Sequence, residues 1–192
     1  NIYNVVDMTE DEMNTWAAEA KFLKAYYHFL LFTYYGPIPI VDENLPISAS
    51  DTEVRVKRRT VDESVAYIVE TIDEAIVHLP ARVLSSNDLG RIDQVIAKAI
   101  KSRVLTYAAS PLFNGNTEMY SGFVNEEGEH FFNQSYDQNK WDLARDASLD
   151  AITAALENGV SLYEFTSTPP NYEDEYEDCL LYTSDAADEQ LS

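Results

Sequence analysis

The sequence of 192 residues is poor in cysteine and in basic side chains. Its single cysteine, Cys179, excludes an internal disulfide framework. Only 13 Lys and Arg residues stand against 34 Asp and Glu residues, so the formal net charge is -21 at pH 7. Because a polyanion would be repelled and phosphate contacts need clustered cations, this charge argues against a nucleic-acid partner and against binding to an anionic membrane surface.

Signals for a membrane span and for a catalytic centre are also missing. The sequence has no run of about 18 apolar residues and no signal-peptide pattern at its start, so we expect it neither to span nor to enter a membrane by itself. The three histidines, His28, His78 and His130, lack metal-binding spacing, and there is no nucleotide-binding loop or nucleophile motif. We therefore expect a protein that is not an enzyme, with no catalytic residue, metal or cofactor.

The sequence does contain enough apolar surface for one domain, together with clear helix signals. Hydrophobic residues make up 45% of the chain, and 13 Tyr and 8 Phe are among them. Thr9 with Glu12, and Thr60 with Glu63, have the spacing of a capping box, in which each side chain bonds the other residue's backbone at the start of a helix. Apolar spacing and terminators predict four helices, over residues 9–36, 60–80, 93–110 and 140–158.

The first predicted helix is apolar on two faces, and the other helices on one. Its first stripe is Trp16, Ala20, Leu23, Tyr27, Leu30, Leu31 and Tyr34, and its second stripe is Phe22, Ala25, Tyr26, Phe29 and Phe32. Such a helix needs cover on two sides, as in a layered helical array. The third helix is expected to bury Ile96, Ala99, Ile100, Val104 and Tyr107, and the fourth Trp141, Ala144, Ser148, Ala151, Ile152 and Ala155.

Four helices without a persuasive strand pattern predict an all-α fold. Consecutive helices that pair antiparallel, with small residues where they touch, are typical of tetratricopeptide-like stacked hairpins, here with long irregular loops. The strict 34-residue consensus of that repeat is absent from the sequence.

The longest loop, residues 112–138, is rich in Asn, Gly, Tyr and Phe. Aromatic rings can stack on the C–H faces of sugars while Asn and Asp bind hydroxyls, and the candidates for such contacts are Phe113, Asn114, Asn116, Tyr120, Phe123, Phe131, Phe132 and Tyr136. Asn114, Asn116 and Tyr120 are the candidate ligand-binding residues. The alternative is that the aromatic residues pack the loop onto the helices beneath it.

Several collinear segments resemble the SusD/RagB family. Residues 18–29 and 35–40 read AEAKFLKAYYHF and YGPIPI, similar to that family's AEA-[RK]-FLRA-YYYF and YGG-[VI]-P signature. Residues 68–80, 90–111 and 141–163 continue the resemblance in order. Asp93 and Gln94 depart from it, since Thr-Lys is usual there.

The resemblance implies a tetratricopeptide-like scaffold in a lipid-anchored protein on the outer face of the outer membrane of Bacteroidetes-type cells. There it would capture a glycan or peptide nutrient, without catalysis, and deliver it to a SusC-type TonB-dependent barrel transporter. The lipid anchor would lie before Asn1, and a large C-terminal portion after this chain. Two alternatives stay open, an intracellular tetratricopeptide-like adaptor for peptides and a helical-toroid glycoside hydrolase with two converging carboxylates.

The C-terminal residues break the pattern. Residues 179–189, CLLYTSDAADE, resemble a transposase-type sequencing adapter read through in one frame. We therefore expect a partial SusD/RagB-like helical domain over residues 1–178 and a non-native tail over 179–192.

Overall fold

Helices dominate residues 2–162, which are the part of the chain that the computed structural model describes. The helices are α1 (Glu10–Tyr35), α2 (Val61–Ile76), α3 (Gln94–Ala109), the four-residue α4 (Thr117–Tyr120) and α5 (Asn139–Glu157). Within these residues there is no strand, only isolated antiparallel bridges that join Pro39 to Arg58 and Val124 to His130. The predicted all-α class is confirmed.

Both predicted capping boxes form. The Thr9 hydroxyl accepts a hydrogen bond from the Glu12 amide at 3.3 Å, and the Glu12 carboxylate accepts one from the Thr9 amide at 2.9 Å. Thr60 and Glu63 repeat the arrangement at 3.2 and 2.9 Å. Hydrogen bonds from the threonine amide and hydroxyl hold the pKa of each glutamate below its ordinary value. At the other end of α1, Gly36 adopts a φ of 67°, which a residue with a side chain rarely adopts.

Helix α2 ends at Ile76, four residues before the predicted end at Pro80. Pro80 has no N–H to donate to the Ile76 carbonyl, and the Gln94 side chain donates instead to the carbonyls of Ile76 and Leu79 at 3.3 and 2.9 Å. These carbonyls are thus satisfied without another helical turn. Asp93 then starts α3, since its carboxylate accepts the Ile96 amide at 2.9 Å.

The long helices stack in chain order. Helix α1 packs on α2, α2 on α3, and α3 on α5. The α3–α5 contact is close because small residues meet there, and the hydroxyls of Ser102 and Ser148 lie 2.7 Å apart. The predicted stacked hairpins of tetratricopeptide type are confirmed. Their core includes Phe22, Ala25, Phe29, Phe32, Val61, Ile68, Ile72, Ala75, Ala97 and Val104.

The predicted core faces are only partly right. In α1 the second stripe, named the inner stripe from here on, is buried except for the half-buried Tyr26. The first stripe, named the outer stripe, is mostly exposed, with Tyr34 81% exposed. In α3, Ile96 is exposed and Ala97 is buried, because α3 turns its small residues toward its neighbours. In α5, Ala144 is buried but Ile152 is exposed, since α5 packs on α3 alone among the long helices of the described residues.

No helix within residues 2–162 is long and apolar enough to cross a membrane. The predicted boundary after residue 178 and the adapter-like tail over 179–192 lie outside the described residues.

Candidate functional site

The predicted loop 112–138 is folded around aromatic rings. Phe113 and Phe132 are buried at 3% exposure each and stack with ring centroids 5.7 Å apart. Tyr120, on α4, stacks on Phe132 at 3.8 Å, and Phe113 contacts Phe32 of α1 at 4.9 Å. These rings pack the loop onto the helices, as the alternative interpretation of its aromatic residues predicted. The short helix α4 inside the loop was not predicted.

The three candidate ligand residues have different environments. Asn114 is buried, and its amide group donates to the Asp137 carbonyl and accepts from the Asp137 amide, both at 2.8 Å, so it ties the two ends of the loop together. The half-buried Asn116 starts α4, with its side chain accepting from the Met119 amide at 3.1 Å. Tyr120 is half-buried by its stacking on Phe132. Asn116 therefore caps the short helix that ends at Tyr120, and Asn114 lies beneath the surface.

Two parts of the loop, at Gly115 and at Tyr136, pass close to each other. This glycine has a φ of 76°, and a Cβ placed on it would lie 2.5 Å from the backbone nitrogen of Tyr136. Only a residue without a side chain fits this crossing. Tyr136 itself points outward at 61% exposure and donates through its hydroxyl to Gln138 at 2.7 Å.

The middle of the loop forms a small hairpin. Its ends are joined where the Phe131 amide donates to the Phe123 carbonyl at 3.2 Å, and its tip is organised by Asn125, whose side chain accepts from the Glu127 and Glu129 amides at 3.0 and 2.8 Å. The Val61 amide, at the start of α2, donates to the Phe131 carbonyl at 2.9 Å. The hairpin is thereby anchored beside the segment that precedes α2.

That preceding segment is fixed at both ends. Near α1, the Val41 amide donates to Nε2 of the buried His28 at 3.3 Å, and Lys24 pairs with Asp42 at 2.6 Å. The Lys24 hydrogen bond holds the pKa of the Asp42 carboxyl below its ordinary value. Near α2, the Arg59 amide donates to the Ile38 carbonyl at 2.9 Å. The basic residues between these anchors face the hairpin.

A cleft of about 520 Å³ separates the basic segment from the hairpin. Arg55, Lys57, Arg58, Val124, Asn125, Glu126, Glu127 and Phe131 line it. The sequence shows the basic patch at residues 55–59 but does not predict this cleft, because its walls lie about 70 positions apart in the chain. What the sequence does show is a concentration of positive charge, because four of the 13 cationic residues occupy these five positions.

A second groove, of about 360 Å³, runs between α2, α3 and α5. Its floor is apolar, with Val65, Val69, Leu105, Ala108 and Leu143, and an ion pair between Lys140 and Asp62 lies at its rim.

Within residues 2–162 no cluster of His, Cys, Asp or Glu is arranged to hold a metal ion. Hydrogen bonds or cations lower the pKa of five carboxyl groups in this part of the chain, those of Glu12, Asp42, Glu53, Glu63 and Glu127. Of these five residues, Glu127 lines the cleft.

Comparison with known proteins decides the family. Residues 3–106 match the profile of a SusD-like family described as "Starch-binding associating with outer membrane". The chain belongs to the SusD-like family. The resemblance found in the sequence is thus confirmed. No curated protein matches the chain.

Solved structures of SusD-like proteins agree with this assignment. The protein named BT4246 is 35% identical, with a TM-score of 0.75 over 88% of this chain and 31% of its own. A "Laminarin binding SusD-like protein" is 27% identical, with a TM-score of 0.50 over 57% of this chain and 23% of its own. A SusD-like carbohydrate-binding protein from Bacteroides fragilis NCTC 9343 is 16% identical, with a TM-score of 0.55 over 79% and 24%, and supports the fold alone.

The chain spans less than a third of the length of each of these relatives. SusD-like proteins bind carbohydrate without catalysing a reaction, which supports the prediction of a protein that is not an enzyme.

Proposed function

We propose that this protein binds a glycan or another nutrient polymer at the extracellular face of the outer membrane, held there by a lipid anchor, and delivers it to a SusC-type TonB-dependent barrel transporter. The observation that carries the proposal is the match of residues 3–106 to a family described as starch-binding and associated with the outer membrane. Neither the intracellular adaptor nor the glycoside hydrolase accounts for this match.

The loop 112–138 supplies the proposed ligand contacts. Asn116 caps α4 and Tyr120 is its last residue, and Asn114 holds the loop in position from beneath. Beside them the Tyr136 ring is exposed and rigidly placed by its bond to Gln138, so it offers a flat face for a sugar. Because the aromatic packing fixes the loop in advance, little conformational entropy is lost when a ligand binds.

Binding is tested by titrating the protein with neutral polysaccharides, including starch and laminarin, in a calorimeter. Tyr136→Ala should weaken binding of the recognised polysaccharide about fivefold or more, since loss of one stacked ring costs about 1 kcal/mol. Tyr34→Ala is the control, because Tyr34 is also an exposed tyrosine but lies on α1. Equal affinity of wild type and Tyr136→Ala would remove Tyr136 and its loop from the site.

Delivery is tested by co-purification. The tagged protein, expressed in its native host, should bring down a TonB-dependent barrel from detergent-solubilised outer membranes. Recovery of the protein from the cytosolic fraction, without a barrel, would support the adaptor alternative instead.

A further inference from the structure

Three arginines stand out because their side chains bond to no other residue in the described part of the chain. Nine of the 13 cationic residues pair with a carboxylate within residues 2–162, and Arg82 donates to the carbonyls of Asn158 and Gly159. Among those described residues, the side chains of Arg55, Arg58 and Arg103 have neither a hydrogen bond nor an ion pair. In a chain with 34 acidic residues this is unexpected, and two of the three lie in the same cleft.

The cleft between the basic segment and the hairpin holds these two arginines in place. The backbone bridge from Arg58 to Pro39 fixes one wall, and the bond from the Val61 amide to Phe131 fixes the other. Across the opening, Lys57 pairs with Glu127 and lies 3.9 Å from Glu126. Lys57 and Glu127 neutralise each other, which leaves Arg55, Arg58 and the 90% exposed Glu126 as the other charged residues that line the cleft.

The composition of the cleft suits a sugar that bears a negative charge. Guanidinium groups bind planar carboxylates through paired hydrogen bonds. Val124 and Phe131 form an apolar floor against which the C–H face of a pyranose can pack, and Glu126 can accept hydrogen bonds from hydroxyls. The net charge of -21 does not prevent this, because acids farther than about 8 Å away are largely screened at physiological ionic strength.

We propose that Arg55 and Arg58 bind the carboxylate of a uronic acid residue, so that the glycan taken up by this protein is an acidic polysaccharide. The proposal rests on the proposed function, and names its class of ligand. It adds a contact in this cleft to those of the loop residues Asn116, Tyr120 and Tyr136.

The first experiment compares charged and neutral forms of the same sugars. Oligosaccharides from polygalacturonate, alginate and chondroitin are titrated into the protein, each beside its carboxyl-methyl-esterified form. At least one charged form should bind about tenfold more tightly than its ester, since a hydrogen bond to a charged group contributes about 1.5–3 kcal/mol. The difference should shrink as NaCl is raised. If no charged form is preferred over its ester, the proposal is wrong.

The second experiment assigns the preference to the cleft. The double variant Arg55→Gln, Arg58→Gln should bind the charged sugar no better than the ester, whereas the control Arg103→Gln, which removes the third of these arginines, should bind like wild type. The side chains of Arg55 and Arg58 are exposed and make no hydrogen bond or ion pair within residues 2–162, so the melting temperature of the double variant should equal that of wild type. An unchanged preference in the double variant would overturn the assignment.

Starch and laminarin separate failure of this inference from failure of the proposed function. Binding of a neutral polysaccharide, with no preference for a charged sugar, overturns the uronate site and leaves the nutrient-binding function intact. If neither neutral nor charged glycans bind, the uronate site and the glycan-binding form of the proposed function are both overturned.

Discussion

The inner and outer stripes of helix α1 are built from similar residues but lie in opposite environments. On the inner stripe Phe22, Phe29 and Phe32 are at most 2% exposed, while on the outer stripe Tyr27 is 60% and Tyr34 81% exposed. Helix α2, helix α3 and the folded loop cover the inner stripe. Burial of a stripe thus depends on which other parts of the chain pack against it. The spacing of apolar residues alone does not distinguish the buried stripe from the exposed one.

The pair of variants with the largest expected difference in stability removes one ring from each stripe. Phe32 contacts Tyr107 and Phe113 at centroid distances of 5.9 and 4.9 Å, so Phe32→Ala should lower the free energy of unfolding by about 3–5 kcal/mol, measured by urea denaturation. Tyr34→Ala is the matched change on the outer stripe and should stay within about 0.5 kcal/mol of wild type. Similar losses in the two variants would show that the outer stripe is also covered in solution.

The next test acts on the loop that covers the inner stripe. Gly115→Ala places a Cβ against the Tyr136 backbone at a φ of 76°, which should cost about 1–3 kcal/mol in unfolding free energy and loosen Phe113 from Phe32. Gly90→Ala is the control, because Gly90 also has a positive φ but nothing lies within 4 Å of the added Cβ. A smaller loss for Gly115→Ala than for Gly90→Ala would contradict the close crossing.

A smaller effect is expected at the start of α2, the helix that covers the other side of the inner stripe. Thr60→Ala removes the acceptor for the Glu63 amide and should lower the unfolding free energy by about 1 kcal/mol. Thr60→Ser keeps a hydroxyl at the same position and should retain most of the stability. Equal losses in the two variants would mean that the cap hydrogen bond is not what Thr60 contributes.

Local features of the fold could be predicted from the sequence, and non-local ones could not. The capping boxes at Thr9 and Thr60 lie within four residues and form as predicted, because a cap needs no distant partner. At the end of α2, the donor that satisfies the Ile76 carbonyl in place of Pro80 is the side chain of Gln94, 18 positions beyond Ile76, which the sequence does not indicate. The choice between the stripes of α1 likewise depends on distant residues.

The same limit applies to the candidate site. The amino-acid composition of residues 112–138 indicates a candidate binding loop. The position of Asn114 beneath the surface, however, depends on its hydrogen bond to the Asp137 carbonyl, 23 positions away. The cleft that holds Arg55 and Arg58 forms only where two distant segments meet. No spacing within either segment indicates it.

The smallest predicted effect is a pH dependence at the cap of α2. The hydrogen bonds from Thr60 lower the pKa of Glu63, so the folded state binds this proton less readily than the unfolded chain. The resulting stability is present above the unfolded pKa of about 4.3 and is lost as pH falls through the lower folded value. Because Glu63 is about half exposed, the loss should be about a few tenths of a kcal/mol.

Glu63→Gln keeps the cap without the titrating group. Urea denaturation at pH 3 and pH 6 should therefore show a smaller difference in unfolding free energy between the two pH values for this variant than for wild type. An identical difference would mean that other carboxylates account for the acid sensitivity.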